Sequence, residues 1–195
     1  MAKFLFFLSK VRLLPHLILF RTHNNRDVIQ YEVERWMKIL KINKDPKLGF
    51  LLLMTFFPEY RNLFYHRIGI NASLYVSWLC PKMNTLYLNT RNIGPGLFIQ
   101  HGFSTIIAAR YIGKDCWINQ QVTIGYSNGI DCPTIGNNVT INAGAKIIGG
   151  ITMGDNSIAG ANAVVVKNVP ESCTVVGIPA YIVRRNGEKI QKCND

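Results

Sequence analysis

Acidic residues are scarce in this chain: 11 aspartates and glutamates stand against 22 lysines and arginines, a formal net charge of +11. Such an excess points to an anionic partner, whether nucleic acid, a membrane face or a phosphate-rich co-substrate. No basic and aromatic stripe is visible, so nucleic acid is not expected. The cations gather only near the ends, at Lys3, Lys10, Arg12, Arg21 and Arg26 and at Arg184, Arg185, Lys189 and Lys192. Elsewhere they are scattered, as on a solvated face. A CxxC motif is also missing. The five cysteines, Cys80, Cys116, Cys132, Cys173 and Cys193, are odd in number and widely spaced. That pattern argues against a disulfide framework and a zinc knuckle, and for a reducing cytoplasm. No apolar run reaches the roughly 20 residues of a spanning helix. FLFFL at 4–8 and LLPHLILF at 13–20 are separated by Lys10 and Arg12, and no small-residue cleavage site follows them. Two readings stay open for residues 1–25: a helix packed on another subunit, or a basic amphipathic segment on a membrane surface.

What is present falls into two textures. Apolar residues make up 48% of the 195, enough for a core in one domain or one and a half. Residues 26–88 read as helical. DVIQYEVERWMKIL places Val28, Tyr31, Val33, Trp36, Ile39 and Leu40 near helical spacing. Asp45-Pro46 looks like a fresh helix start. GFLLLMTFF reads as a buried helix, Pro58 interrupts it, and Pro81 closes the region.

From Ile93 the period changes to six. Ile93, Ile99, Ile106, Ile112, Ile118 and Ile124 recur, then Ile135, Ile141, Ile147, Met153, Ala159 and Val165. Glycine or asparagine often follows the lead residue. Four positions after the lead comes another small or apolar residue, from Leu97 and Phe103 to Ala163 and Val169. A short strand and a sharp corner take six residues, and three such sides close a triangular coil. The expected fold over 89–170 is therefore mainly β, a parallel β-helix of about four coils stabilised by stacking. Corners need left-handed backbone, which glycine and asparagine tolerate. Residues 171–195 read as an extension. The period breaks twice: by one residue within QHGFST, and by an eleven-residue step across GYSNGIDCP. Insertions on a regular scaffold are where function concentrates.

Four histidines occur, and only His101 lies in the repeat, at the first break. A neutral imidazole there could take the proton of a hydroxyl as it attacks a thioester. Backbone N–H groups at a glycine corner, with Gly125 a candidate, could steady the oxyanion. One histidine cannot build the three-histidine site that zinc chemistry on such a scaffold needs, so no metal is expected.

The segments KDP (44–46), YHRIG (65–69), NIGPGLFIQHG (92–102), QVTIG (121–125), PTIGNNVTINAGAKIIGG (133–150) and VPESCTVVGIPAYIV (169–183) resemble the serine acetyltransferases and the wider hexapeptide-repeat O-acetyltransferases. The resemblance implies a left-handed β-helix, acetyl-CoA as co-substrate, and a homotrimer that could pair further. It makes His101 the catalytic base. Ala143, Gly144, Ala145, Gly160 and Ala161 become the wall along which the CoA arm lies between subunits. Lys167 and residues 177–180 fall near the nucleotide end, where Arg184 or Arg185 could meet a phosphate. On the acceptor side, Asp45 keeps the family's carboxylate. Gln100 stands where the family has aspartate, Leu86 where an aspartate orients the histidine, and Asp131 and Cys132 where it has an arginine and a histidine. These departures favour a neutral acceptor, a sugar or polysaccharide-precursor hydroxyl, over L-serine. They also motivate a second reading, a non-catalytic β-helix scaffold.

Overall fold

A computed structural model describes residues 11–190 and divides the chain into two compact units, Met1–Asn84 and Thr85–Asp195. The first ten residues, and Lys192 and Cys193 with them, lie outside the described residues.

The first unit is helical: α1 (Leu14–Thr22), α2 (Arg26–Ile39), α3 (Pro46–Phe56) and α4 (Pro58–Val76). Asp45 is the N-cap of α3. Its carboxylate accepts from the Leu48 N–H at 3.0 Å, and Pro46 occupies the first turn, where its missing N–H costs nothing. The apolar run in α3 buries Phe50, Leu51, Leu53 and Met54, as its composition suggests. The inward stripe of α2 differs from the expected one. Ile29, Glu32, Val33, Trp36 and Met37 are buried, while Tyr31 is exposed. The stripe was misplaced because it contains a glutamate. Glu32 is admitted because Arg67 of α4 reaches it at 2.6 Å, and a buried charge is tolerated when paired and hydrogen-bonded. Helix α1 lies against α2, α3 and α4 of its own chain, burying Leu13, His16 and Phe20. Within residues 11–25 the buried side chains pack inside this unit, while Val11, Leu14 and Ile18 are exposed. No helix among the described residues is long and apolar enough to cross a membrane.

The second unit is a left-handed parallel β-helix with three faces. The first face stacks β1 (Leu86–Leu88), β3 (Thr105–Ile107), β6 (Thr123–Gly125), β9 (Lys146–Ile148) and β12 (Val164–Val165). The second stacks β4 (Tyr111–Ile112), β7 (Thr134–Ile135) and β10 (Thr152–Met153), with Ile93 and Val169 bridging at its two ends. The third stacks β2 (Phe98–Ile99), β5 (Trp117–Ile118), β8 (Thr140–Ile141), β11 (Ile158–Ala159) and β13 (Cys173–Gly177). Each face thus has five rungs where about four coils were expected, because Leu86–Leu88 and Cys173–Gly177 extend the stack at either end. Strands β14 (Ala180–Arg185) and β15 (Glu188–Lys189) then fold back antiparallel on β13.

The core is three columns of side chains: Ile107, Ile124, Ile147 and Val165; Ile93, Ile112, Ile135, Met153 and Val169; Ile99, Ile118, Ile141, Ala159 and Val175. All are buried. Ile106 is the exception among the expected inward residues: it is exposed and Ile107 takes its place. Phe103 is exposed too. The first break therefore inserts two residues rather than one, and Ile107 restores the column from inside the following strand.

The glycines after the lead residues have a different cause from the one expected. Gly94, Gly113, Gly136 and Gly154 do not have positive φ. They are needed because consecutive coils approach closely there: a Cβ on Gly94 would lie 2.7 Å from the Gly113 carbonyl carbon, and one on Gly113 would lie 2.7 Å from the Asn137 nitrogen. The left-handed corners are held by other residues. Asp115, Asn138, Asn156 and Ser172 repeat on one edge, and Ser104, Gln121, Gly144 and Asn162 on another. Short polar side chains satisfy local backbone and tolerate this region better than bulky ones.

Candidate active site

The triangular coil has three edges, and the edge leading from the third face to the first gathers most of the expected residues. In successive coils it carries residues 100–104, then 119–121, 142–144 and 160–162, and finally the turn at 177–180 between β13 and β14. His101, Gln100, Ala143, Gly144, Gly160 and Ala161 therefore share one edge. Rungs lie about 4.8 Å apart, so His101 and the turn at 177–180 are separated by roughly 19 Å along it.

The backbone at His101 is unusual. His101 has φ 65, Gly102 φ 58 and Ser104 φ 53. The Gly102 N–H donates to the Gln100 carbonyl at 2.8 Å, and the Phe103 N–H donates to the His101 carbonyl at 2.8 Å. Hydrogen bonds from residue i+2 to residue i make consecutive γ-turns, and the positive-φ form is rare and strained. Non-glycine residues in such conformations cluster at functional sites, where the surrounding structure compels them. Here the compulsion is the two-residue insertion, since both flanking strands stay in register with the next coil. The His101 side chain projects into solvent rather than into the protein.

Gln100 is half-buried and held from below. Trp117 Nε1 donates to Gln100 Oε1 at 3.2 Å and to Asn119 Oδ1 at 2.9 Å. Asn119 donates to Asn142 Oδ1 at 3.3 Å, and Asn142 to the Ala159 carbonyl at 3.0 Å. The Phe98 ring meets Trp117 edge-on with centroids 4.6 Å apart. This polar ladder braces the His101 corner against the coils beneath it. Sequence reasoning missed it. Its one trace is that Asn119 and Asn142 each follow a lead isoleucine, which says nothing of Trp117.

Two coils below His101 the edge is built of small residues. A Cβ on Gly144, which has φ 74, would collide with Asn162 Oδ1 and lie 3.1 Å from its Cγ. A Cβ on Gly160 would lie 2.7 Å from Val176 Cγ1. Both glycines are required by coil geometry, and together with Ala143 and Ala161 they keep the edge short-chained in the coils of 142–144 and 160–162, below Gln120 and Gln121. Ala145 is different: it is fully buried in the β-helix core, so only its backbone faces outward. Lys146 follows it, its Nζ donating to the Gln121 carbonyl at 2.6 Å.

The remaining expected residues lie elsewhere. Gly125 ends β6, and the loop after it leaves from the edge between the first and second faces. In that loop Asn128 Oδ1 accepts from the N–H groups of Ile130 and Asp131, and Asn128 Nδ2 donates to Asp131 Oδ2 at 2.7 Å. Asp131 thus closes its own loop, and Cys132 is buried behind it. Lys167 is exposed on this same loop edge, one side away from His101. Arg184 and Arg185 are exposed but sit at the far end of β14 from the turn at 177–180, opposite Thr174 and Cys173. Asp45 belongs to the helical unit, where its carboxylate caps α3. Among the described residues no cluster of three or more His, Cys, Asp or Glu side chains could hold a metal ion.

No protein-family model matches the chain. Curated proteins do, among them the serine acetyltransferases of Synechococcus elongatus (42% identical over 102 residues, 50% of this chain and 42% of that protein) and Staphylococcus xylosus (46% over 107 residues, 53% and 50%). The chain is similar to serine acetyltransferases. It spans about half the length of the curated relatives it matches. Solved serine acetyltransferases superpose over more of it. The Neisseria gonorrhoeae enzyme in complex with serine gives a TM-score of 0.65 at 25% identity, covering 84% of this chain and 70% of its own. A serine acetyltransferase in complex with CoA gives 0.67 at 25% identity, covering 84% and 72%.

Proposed function

We propose that the chain is an O-acetyltransferase that moves an acetyl group from acetyl-CoA to an acceptor hydroxyl, with His101 as general base. The observation that carries this reading is His101, exposed on a strained double γ-turn at the head of an edge whose lower coils present Ala143, Gly144, Gly160 and Ala161. Similarity to serine acetyltransferases, one solved with CoA, supports it. The exposure of His101 speaks against the scaffold reading, which would leave this strained corner without a purpose.

In the proposed step the imidazole accepts the hydroxyl proton while the acceptor oxygen attacks the thioester carbonyl. The tetrahedral oxyanion collapses, the carbon–sulfur bond breaks, and the imidazolium returns its proton to the departing thiolate. The ester and free CoA leave, and His101 is again neutral. The flat track of Ala143, Gly144, Gly160 and Ala161 suits an extended pantetheine arm, and Gly125 remains a candidate oxyanion donor. His101 and the loop of Asp131 stand on different edges of one β-helix. A site that uses both needs a second copy beside the first, which supports a homotrimer. Sedimentation showing an active monomer would overturn that assembly.

For the acceptor, the departures at Gln100, Leu86, Asp131 and Cys132 favoured a sugar hydroxyl. The comparisons turn that preference: the similar proteins are named serine acetyltransferases and one structure holds serine. L-Serine is therefore the proposed acceptor. A thiol-release assay with acetyl-CoA against L-serine and a panel of sugars tests it. Turnover with serine and background release with sugars is expected; turnover with a sugar alone would contradict the assignment.

A further inference from the structure

The coils beneath His101 carry a column of side-chain amides. Gln100, Asn119 and Asn142 follow the inward residues Ile99, Ile118 and Ile141, whose strands pair in register. An amide oxygen accepts and an amide nitrogen donates, so each partner fixes which end faces it. At the foot of the column the Ala159 carbonyl only accepts, so Asn142 turns its nitrogen to it at 3.0 Å. The Asn142 oxygen then takes the Asn119 nitrogen at 3.3 Å, and the Asn119 oxygen is left for the Trp117 indole at 2.9 Å. The indole N–H only donates, so it compels Gln100 to meet it with the oxygen, at 3.2 Å. Trp117 is itself held edge-on by Phe98, which is 3% exposed. The Gln100 backbone is pinned as well: its N–H donates to the Ile118 carbonyl at 2.9 Å, and its carbonyl accepts from Gly102 at 2.8 Å. Turning the Gln100 amide over would set donor against donor. Its nitrogen, with two N–H groups, therefore faces away from the indole on the edge it shares with exposed His101.

We propose that Trp117 is a positioning residue for the acceptor: through Gln100 it aims a hydrogen-bond donor at the acceptor's carboxylate while His101 takes the hydroxyl proton. The inference rests on acetyl transfer to L-serine and adds which charged group of that acceptor faces this corner. The chemistry chooses between the two. A carboxylate accepts, and a hydrogen bond to an ionised partner is roughly twice as strong as one between neutral groups. An ammonium only donates and would meet the Gln100 amide N–H against N–H. Trp117 touches neither group. Its part is to keep the oxygen of Gln100 engaged, so that the donor end is already in place when the acceptor arrives. A side chain held in its binding orientation loses less freedom on binding than one that must first be ordered.

The test is steady-state thiol release with acetyl-CoA and varied L-serine by Trp117→Phe, Gln100→Leu, the two combined, and Gln100→Glu. Trp117→Phe keeps an aromatic ring against Phe98 and removes the N–H. It should keep the circular dichroism of the unaltered protein and raise KM for L-serine by about three- to tenfold, with kcat within about threefold. Gln100→Leu should raise KM by about ten- to a hundredfold. Adding Trp117→Phe to it should change nothing more, because Trp117 acts only through the amide. Gln100→Glu should raise KM further than Gln100→Leu, since it sets carboxylate against carboxylate. A lower KM in Gln100→Glu would place the ammonium at this corner and overturn the proposal. So would a Trp117→Phe effect on kcat alone, which would reduce the ladder to a brace for His101. Additive effects of Trp117→Phe and Gln100→Leu would overturn it too. No turnover of L-serine by the unaltered protein would instead sink the L-serine reading, and this inference with it.

Discussion

The helical unit and the β-helix are stabilised in opposite ways. The β-helix repeats one solution: an inward aliphatic column per face, backbone ladders between coils, and glycines where coils touch. The helical unit has several solutions used once each. Glu32 pairs with Arg67 inside the core, and Tyr60 is fully buried beside them, its hydroxyl pushed well above its ordinary pKa by burial and then by Glu32. His16 Nε2 meets the Tyr65 hydroxyl at 2.9 Å, which in turn donates to the Cys80 carbonyl at 2.6 Å. The Tyr65 proton is thereby committed to Cys80, so in the pair with Tyr65 it is His16 Nε2 that donates. Repetition spreads stability evenly, whereas single buried pairs concentrate it.

Breaking the Glu32–Arg67 pair tests that contrast most severely. Glu32→Ala leaves a guanidinium buried without its carboxylate and should cost about 3–5 kcal/mol in urea unfolding. A loss below about 1 kcal/mol would show that the pair is not a central support. The second effect is a pH dependence. Burial, and then the Arg12 charge, lowers the pKa of His16 from 6.5 to about 4. The folded protein therefore prefers neutral His16. Its stability contribution is complete above pH 6.5 and is lost as pH falls from 6.5 towards 4, by roughly 3 kcal/mol in all. His16→Gln should flatten the stability profile in that window, and an unchanged slope would assign the loss elsewhere. In the β-helix, Gly113→Ala forces a methyl against the backbone of the next coil. It should cost about 1–3 kcal/mol by thermal unfolding, although its φ suits alanine. A neutral result would return these glycines to backbone freedom instead of contact.

The same contrast explains what could be read from the residues alone. A six-residue period announces itself, and the columns from Ile112 to Val165 follow from it. It failed only where it breaks, at Ile106 and Phe103, because an insertion can be absorbed at several positions and the period does not say which. The buried stripe of α2 was misread because Glu32 looks like a surface residue until Arg67, thirty-five positions on, is seen beside it. In the site, His101 stood out as the one histidine in the repeat. The Trp117 ladder did not, since outward residues on a β-helix carry no periodic mark. The separation of His101 from Asp131 and Lys167 is also invisible without the faces, because it depends on which corner each hexad turns.

The central claim is that the break in the period at His101 is a catalytic corner. The direct test is acetyl-CoA thiol release with L-serine by His101→Ala beside the unaltered protein, with CoA binding measured by calorimetry on both. His101 is exposed, so the variant should fold and bind CoA as before while kcat falls by about 10²–10⁴-fold. Turnover within about twofold of the unaltered protein would contradict the account, since removal of a general base is expected to cost at least two orders of magnitude.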